Sequence, residues 1–245
     1  MNHENYKKAL QADKAQTIEY YNKSLLQKSE QQKFLEKLLR QNDGQFGQIA
    51  DIACGGGTLT YHLSKQYPEA VFSLLDYNED AIELAKKNNS DSRFSFYRDS
   101  IYDMQSLADN TFDLVCCWQT LSWLDEPEKA MKELVRITKT GGKIFVSSLF
   151  NADKDVDLYT KVFDHTRKSG AQGMAFSYNT YSRFTIGRWL QGIARNFELV
   201  PFDPVIDFEF SGKGIGTFTI KTLENRRLQV SAGMLLNWAV LIIEK

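Results

Sequence analysis

The stretch Gln48-Ile49-Ala50-Asp51-Ile52-Ala53-Cys54-Gly55-Gly56-Gly57, read with Val71-Phe72-Ser73-Leu74-Leu75-Asp76 downstream of it, decides how this chain folds. A short apolar run that breaks into three successive glycines is a buried strand ending in a sharp turn with no Cβ in the way. A ligand can lie against bare backbone there, at the start of the following helix, where unpaired N–H groups point outward. The second apolar run closes on Asp76, an acid placed to accept both hydroxyls of a ribose. Together the two runs form a frame for binding a nucleoside.

Spacing separates this frame from its relatives. A dinucleotide fingerprint reads G-x-G-x-x-G, and a nicotinamide oxidoreductase would need that spacing. Asp51-x-Ala53-x-Gly55-x-Gly57 instead puts an acid inside the strand and small residues at every second position. The pattern resembles motif I of the class I S-adenosylmethionine-dependent methyltransferases, D/E-x-G-x-G-x-G, with Ala53 in place of the first glycine. The resemblance implies that Asp51, Ala53, Cys54, Gly55 and Gly57 line the cofactor S-adenosylmethionine. It implies further that Asp76 and Tyr77 meet the ribose, that Asp99 receives the adenine amino group, and that Ser100 and Ile101 lie along the ring. Trp118 and Gln119, after the fourth strand, complete the implied cofactor set.

The segments between these points alternate as such a sheet requires. Thr58 to Tyr67 predicts a helix that turns Leu59 and Leu63 toward the sheet and stops at Pro68, with His62 as a structural residue at the surface or half-buried. Asn78-Glu79-Asp80 starts a second helix over 81–87, and 93–98 alternates as a third strand. Phe112 to Trp118 is a near-continuous apolar run, as a central parallel strand covered on both faces should be. Asp125-Glu126-Pro127 opens a helix to Lys139, Gly141-Gly142 ends it, and Lys143 to Ser148 is a fifth strand. The order from Ile49 to Ser148 resembles the family's core. The fold predicted is therefore α/β: a three-layer, Rossmann-like, doubly wound sheet of seven strands with an antiparallel last strand, an N-terminal helical cover and an insertion after the fifth strand.

The flanks fill in the single domain, 1–245. Residues 1–41 are helical in composition, with Leu25, Leu26, Phe34, Leu35, Leu38 and Leu39 at helical spacing, and they form the cover; 48–150 is the cofactor-binding core. Residues 151–183 intersperse Tyr159, Phe163, His165, Phe176, Tyr178 and Tyr181 with Ser, Gly, Asn and Thr, without a long apolar period; the resemblance implies that a segment placed here is an insertion covering the substrate. Residues 184–245 supply a helix over 185–196, a strand over 197–200, a hairpin from 216–220 and 227–230, and a terminal strand over 238–243.

Composition narrows the chemistry. A net charge of -1 over 245 residues gives no basic footprint for nucleic acid, and no apolar run reaches the length of a membrane span. The polar start lacks the core of a signal peptide, and three cysteines, two of them adjacent on a buried strand, suit a reducing compartment; a cytoplasmic location is expected. The acceptor expected is a small molecule, held by Tyr20, Tyr21, Trp123, Tyr181 and Arg183, with His165 and Tyr178 as candidate bases. Trp123 resembles an aromatic found in methyltransferases acting on small carboxylic acids, which makes Arg183 a candidate counter-charge. No metal is expected, because the fourth strand ends without a carboxylate. The chain is read as a monomer or homodimer. An RNA or protein methyltransferase, or a non-catalytic partner subunit of the same fold, is the alternative.

Overall fold

The computed structural model describes residues 21–42, 44–164, 174–209, 217–231 and 233–245. A helical stretch over 21–26 leads into α1 (Glu30–Gln41), which opens with a capping box: Gln32 N–H donates to Ser29 Oγ while Ser29 N–H donates to Gln32 Oε1. There follow β1 (Gln48–Ile52), α2 (Thr58–Gln66), β2 (Val71–Asp76), α3 (Glu79–Asn88), β3 (Phe94–Arg98) and β4 (Phe112–Trp118). A short 3-10 turn, Leu121–Trp123, precedes α4 (Pro127–Ile137) and the long β5 (Thr138–Asn151). The second half contains β6 (Lys161–Asp164), β7 (Met174–Ser177), β8 (Tyr181–Ser182), α5 (Arg183–Leu190) and β9 (Asn196–Pro201). The last strands are β10 (Thr217–Lys221), β11 (Arg227–Ser231), β12 (Met234–Leu236) and β13 (Trp238–Glu244).

The main sheet runs β3-β2-β1-β4-β5-β13-β9, with β8 attached as an eighth strand beside the end of β5. β1 to β5 pair in parallel, and β13 runs antiparallel to both β5 and β9. Strand order therefore reverses between β1 and β4, and the crevice outside their carboxyl ends is where open sheets of this kind bind ligands.

Two apolar clusters make the three layers. On one face Leu35 and Leu39 of α1, Leu63 of α2 and Ala85 of α3 pack on Ile49, Phe72 and Phe145. On the other, Met131 and Leu134 of α4 and Ile186 of α5 pack on Ile52, Val146 and Leu241. Strand alternation sorts even the neighbours Cys116 and Cys117 into different layers.

Several expectations need correction. Gly141-Gly142 does not end a helix: α4 stops at Ile137 and the glycines lie inside β5, where pairing with β4 jumps register between Phe112 and Leu114. Gly141 has φ +78, and a Cβ on Gly142 would come within 2.7 Å of Thr138 Cγ2 and 2.9 Å of the Lys139 carbonyl. They form a bulge. Helix α5 spans Arg183–Leu190 and not 185–196, with Gly192 at φ +75 just beyond it. Leu26 is 90% exposed, so the leucine stripe begins only at Leu35. His62 is buried, with its Nε2 2.7 Å from the Ser24 carbonyl oxygen. The expected hairpin is the first two strands of a separate antiparallel sheet, β10-β11-β12, and the insertion contributes the β6-β7 hairpin and β8.

Candidate cofactor and acceptor site

The turn after β1 is shaped by backbone alone. Ala53, Gly55 and Gly57 all adopt positive φ, at +57, +53 and +70. Glycine reaches this region freely, whereas an alanine there carries a strain of about 1–2 kcal/mol, so the motif's one substituted position is also its strained one. The turn is tied from two sides. Cys54 N–H donates to the Leu75 carbonyl and Gly57 N–H to the Cys54 carbonyl, while Asn88 Nδ2 donates to the Gly56 carbonyl and Asn89 Nδ2 to the Gly57 carbonyl. A Cβ on Gly57 would stand 2.6 Å from Asn89 Nδ2, so this glycine is required for α3 to close on the turn. Over the same turn lies Tyr21: a Cβ on Gly55 would meet its hydroxyl at 2.5 Å, and one on Gly56 its Cγ at 3.0 Å.

Two acids sit behind and beside the turn. Asp76, at the end of β2, accepts the Gly55 N–H at 2.9 Å on one oxygen and the Asn78 N–H at 2.8 Å on the other. Asp51 is 1% exposed and accepts the Thr60 hydroxyl at 2.7 Å. Burial raises both carboxyls above the usual range, Asp51 to about 7, with the charge of Asp76 adding to the effect on Asp51. Among the described residues, the hydrogen bonds to these two carboxyls come from a hydroxyl or a backbone N–H and none from a cation. Cys54 is buried beside them, its thiol pushed well up by burial and then by the acids.

The remaining residues of the predicted cofactor set scatter. Tyr77 is 42% exposed next to Asp76. Asp99 closes a local turn: one oxygen accepts the Ser100 N–H, the other both the N–H and the hydroxyl of Ser106. Ile101 is core, packed with the α4 face. Trp118 is packed on the α1 side of the sheet, and its indole N–H is buried with no partner among the described residues. Gln119, at φ +56, donates its backbone N–H to the Ser147 carbonyl and its side-chain amide to Gln31 Oε1.

Beside the end of β5 and the start of β13 lies an aromatic cluster, with Phe176 and Tyr178 buried and Trp123 and Trp238 partly buried. Trp123 stacks on Tyr178 with centroids 4.5 Å apart and on Phe176 at 4.9 Å; Tyr178 meets the edge of Trp238 at 6.5 Å. Below them Ser122 and Ser148 share a buried hydroxyl contact at 2.5 Å, and Ser122 Oγ accepts the Leu149 N–H. Burial drives the Tyr178 phenol above its ordinary range. Tyr181 is not a substrate contact: it is fully buried, hydrogen-bonded to Asn179 Nδ2 and packed on Trp189. Arg183 stands exposed over the Phe197 ring. Tyr20 and His165 lie outside the described residues.

Sequence reasoning missed Thr60, Asn88, Asn89, Gln31, Ser147 and Trp238. Thr60 had a local signal, since it follows the glycines on the first turn of α2. The others are brought in by packing between segments distant in sequence. Among the described residues no group of three or more His, Cys, Asp or Glu is placed to hold a metal, and no helix is long and apolar enough to cross a membrane.

Comparison with known proteins agrees with this geometry. Residues 50–146 match the Methyltransferase domain family. An uncharacterized methyltransferase of Schizosaccharomyces pombe is 34% identical over 160 residues, 60% of this chain and 54% of that protein. A ubiquinone biosynthesis O-methyltransferase of Vibrio parahaemolyticus is 27% identical over 118 residues, 47% of this chain and 49% of that protein. The chain thus spans about half the length of these curated relatives. Among solved structures, the complex between the Haloferax volcanii Trm112 methyltransferase activator and a methyltransferase aligns with TM-score 0.55 and 12% identity over 81% of each chain, a likeness of fold. With its glycine turn, its acid at the end of β2 and its reversed final strand, the chain carries, over residues 50–146, a methyltransferase domain similar to those of the class I S-adenosylmethionine-dependent methyltransferases.

Proposed function

We propose that this chain transfers a methyl group from S-adenosylmethionine to a small-molecule acceptor held on the β5–β13 side of the crevice. The observation that carries the reading is the pair of buried carboxyls, Asp51 and Asp76, bonded among the described residues to neutral donors around a turn of bare backbone. Buried charge is costly unless it is matched, and a ligand bearing a sulfonium and an ammonium would match it. Asp76 closes β2 at the mouth of the turn, where its carboxyl suits a ribose diol. Asp51 stays behind the turn, bonded to Thr60, and a cationic ligand nearby would favour its ionised form. Asp99 and Ile101 hold the turn and the core that border the adenine side.

When bound, the cofactor supplies an already activated methyl group. The chain's own contribution is then to hold donor and acceptor in line and to exclude water, effects that reach ~7–11 kcal/mol in well-oriented systems. Residues 21–42 serve as cover, since Tyr21 lies on the glycine turn and α1 packs on the sheet. Trp123, Tyr178 and Trp238 form the acceptor wall, an apolar surface with few polar groups as small-ligand sites have. An acceptor with an aromatic or other flat apolar body fits this wall, and the name of the Vibrio relative is consistent with O-methylation.

The test is methyl transfer from isotopically labelled cofactor into a metabolite extract. Label is expected in a low-mass product, and Trp123→Ala should reduce it at least tenfold. Label that enters only RNA or protein overturns the reading.

A further inference from the structure

Gln31 occupies a place that packing does not explain. The hold of α1 on the sheet is apolar and complete through Leu35, Leu38 and Leu39, all buried. Yet the first turn of the same helix buries a side-chain amide. Gln31 is 9% exposed, and its Oε1 accepts two hydrogen bonds: from Gln119 Nε2 at 2.7 Å and from Ser147 Oγ at 3.0 Å. The two donors lie at the carboxyl ends of adjacent strands, one just after β4 and one in β5, and Gln119 is further bound to the Ser147 carbonyl. Gln119 is held in the left-handed region, which directs its side chain out of the strand path and up to the helix.

The other end of this segment rests across the crevice. Tyr21 lies on Gly55 and Gly56, after β1, and the Ser24 carbonyl is bound to His62 of α2. Residues 21–31 therefore form a strap that starts on the turn after β1 and ends on the strand ends of β4 and β5, crossing the point where strand order reverses. The contacts of the strap differ in kind from those of the rest of α1. Leu35, Leu38 and Leu39 exclude water permanently, whereas a carbonyl with two neutral donors exchanges readily for water at both ends and fixes direction as well as position.

We propose that Gln31 is a positioning residue, a releasable latch that fastens the strap over the cofactor crevice by bridging Gln119 and Ser147. This rests on the cofactor reading above. A latch of this kind acts on departure more than on arrival: cofactor enters while the strap is open and is retained once Gln31 closes on its two donors. Loss of the latch therefore raises the dissociation rate of the cofactor product and leaves its association rate near that of the parent.

The experiment uses the full chain and S-adenosylhomocysteine, with binding and displacement followed by stopped-flow tryptophan fluorescence. Gln31→Leu keeps the size of the side chain and removes the acceptor; dissociation should quicken about tenfold. Gln31→Glu keeps an acceptor for both donors and should bring the rate back to within about twofold of the parent, a rescue that a packing role would not give. Ser147→Ala removes one donor from a different element and should quicken dissociation by a smaller factor, with no further effect when added to Gln31→Leu. Limited proteolysis should cut within 21–29 faster in Gln31→Leu, with the thermal midpoint of the ligand-free protein little changed. Unaltered dissociation in Gln31→Leu and Ser147→Ala overturns the latch while leaving the cofactor reading intact. A parent chain that fails to bind S-adenosylhomocysteine overturns both.

Discussion

The two sides of the crevice are built by different means. On the β1–β2 side the surface is backbone and carboxylate: Asp76 holds Gly55 and Asn78, and Asn88 and Asn89 hold the carbonyls of Gly56 and Gly57. On the β5–β13 side it is side-chain area, with Trp123, Tyr178 and Trp238 stacked from three separate stretches of the chain. A backbone-built surface needs particular residues at fixed spacing, because only some residues allow the required φ and only an acid at the strand end can reach the turn. An aromatic wall needs only sufficient area at roughly the right place, and many sequences supply that. On the function proposed above, the first side is constrained by the cofactor and the second is free to follow the acceptor.

Substitutions can separate the two sides. The largest effect is expected from Tyr181→Ala, which empties a fully buried site beneath the aromatic side and should lower stability by about 3–5 kcal/mol in denaturant unfolding. In whatever fraction remains folded, cofactor affinity should be near that of the parent; a selective loss of affinity would mean that the two sides are not independent. Asp76→Ala should do the reverse, weakening cofactor binding by about 1.5–3 kcal/mol in calorimetry with the fold retained. Unchanged affinity would remove Asp76 from the site.

Asp51→Asn sharpens the contrast through pH. The folded carboxyl holds its proton up to about 7, whereas in the unfolded chain it ionises in the usual acid range. The folded state therefore binds more protons between these values, and Asp51 makes the protein less stable as pH rises toward 7. The variant keeps an acceptor for Thr60 and carries no such dependence. Its stability advantage over the parent should grow by on the order of 2 kcal/mol between pH 5 and pH 8, measured by denaturant midpoints, while its cofactor affinity falls. An advantage that does not change with pH would show that Asp51 stays ionised. The smallest effect is expected from Ala53→Gly: relief of the left-handed strain is offset in part by the greater freedom of glycine in the unfolded chain, leaving a gain of less than about 1 kcal/mol.

The same contrast explains what could be read in advance. The glycine turn was legible from the spacing of Asp51, Gly55 and Gly57, while the doubly wound sheet and its antiparallel close were implied by the resemblance that these residues, Asp76 and the apolar run at Phe112 to Trp118 carry. Gly141-Gly142 misled because a glycine pair after a helix is the usual helix stop, and only the register of β4 against β5 reveals a bulge. Tyr181 misled because an aromatic among polar residues looks like a ligand wall; its burial depends on Trp189 and Asn179, and on β8 pairing with the end of β5. Gln31 left no trace in sequence at all, since both of its donors are roughly a hundred residues away along the chain.

Cys116 and Cys117 offer a use of the layered fold that concerns its motion. The two thiols are neighbours in the chain and completely buried, yet one faces the α1–α3 layer and the other the α4–α5 layer. Burial pushes both well up in pKa, Cys117 to about 12, so neither reacts until its own layer lifts. Single-cysteine versions, with Cys54 replaced, would turn adjacent atoms into separate clocks. Their labelling half-lives would time the opening of each helical layer from the sheet, and a ligand that closes only one layer would slow only one of them.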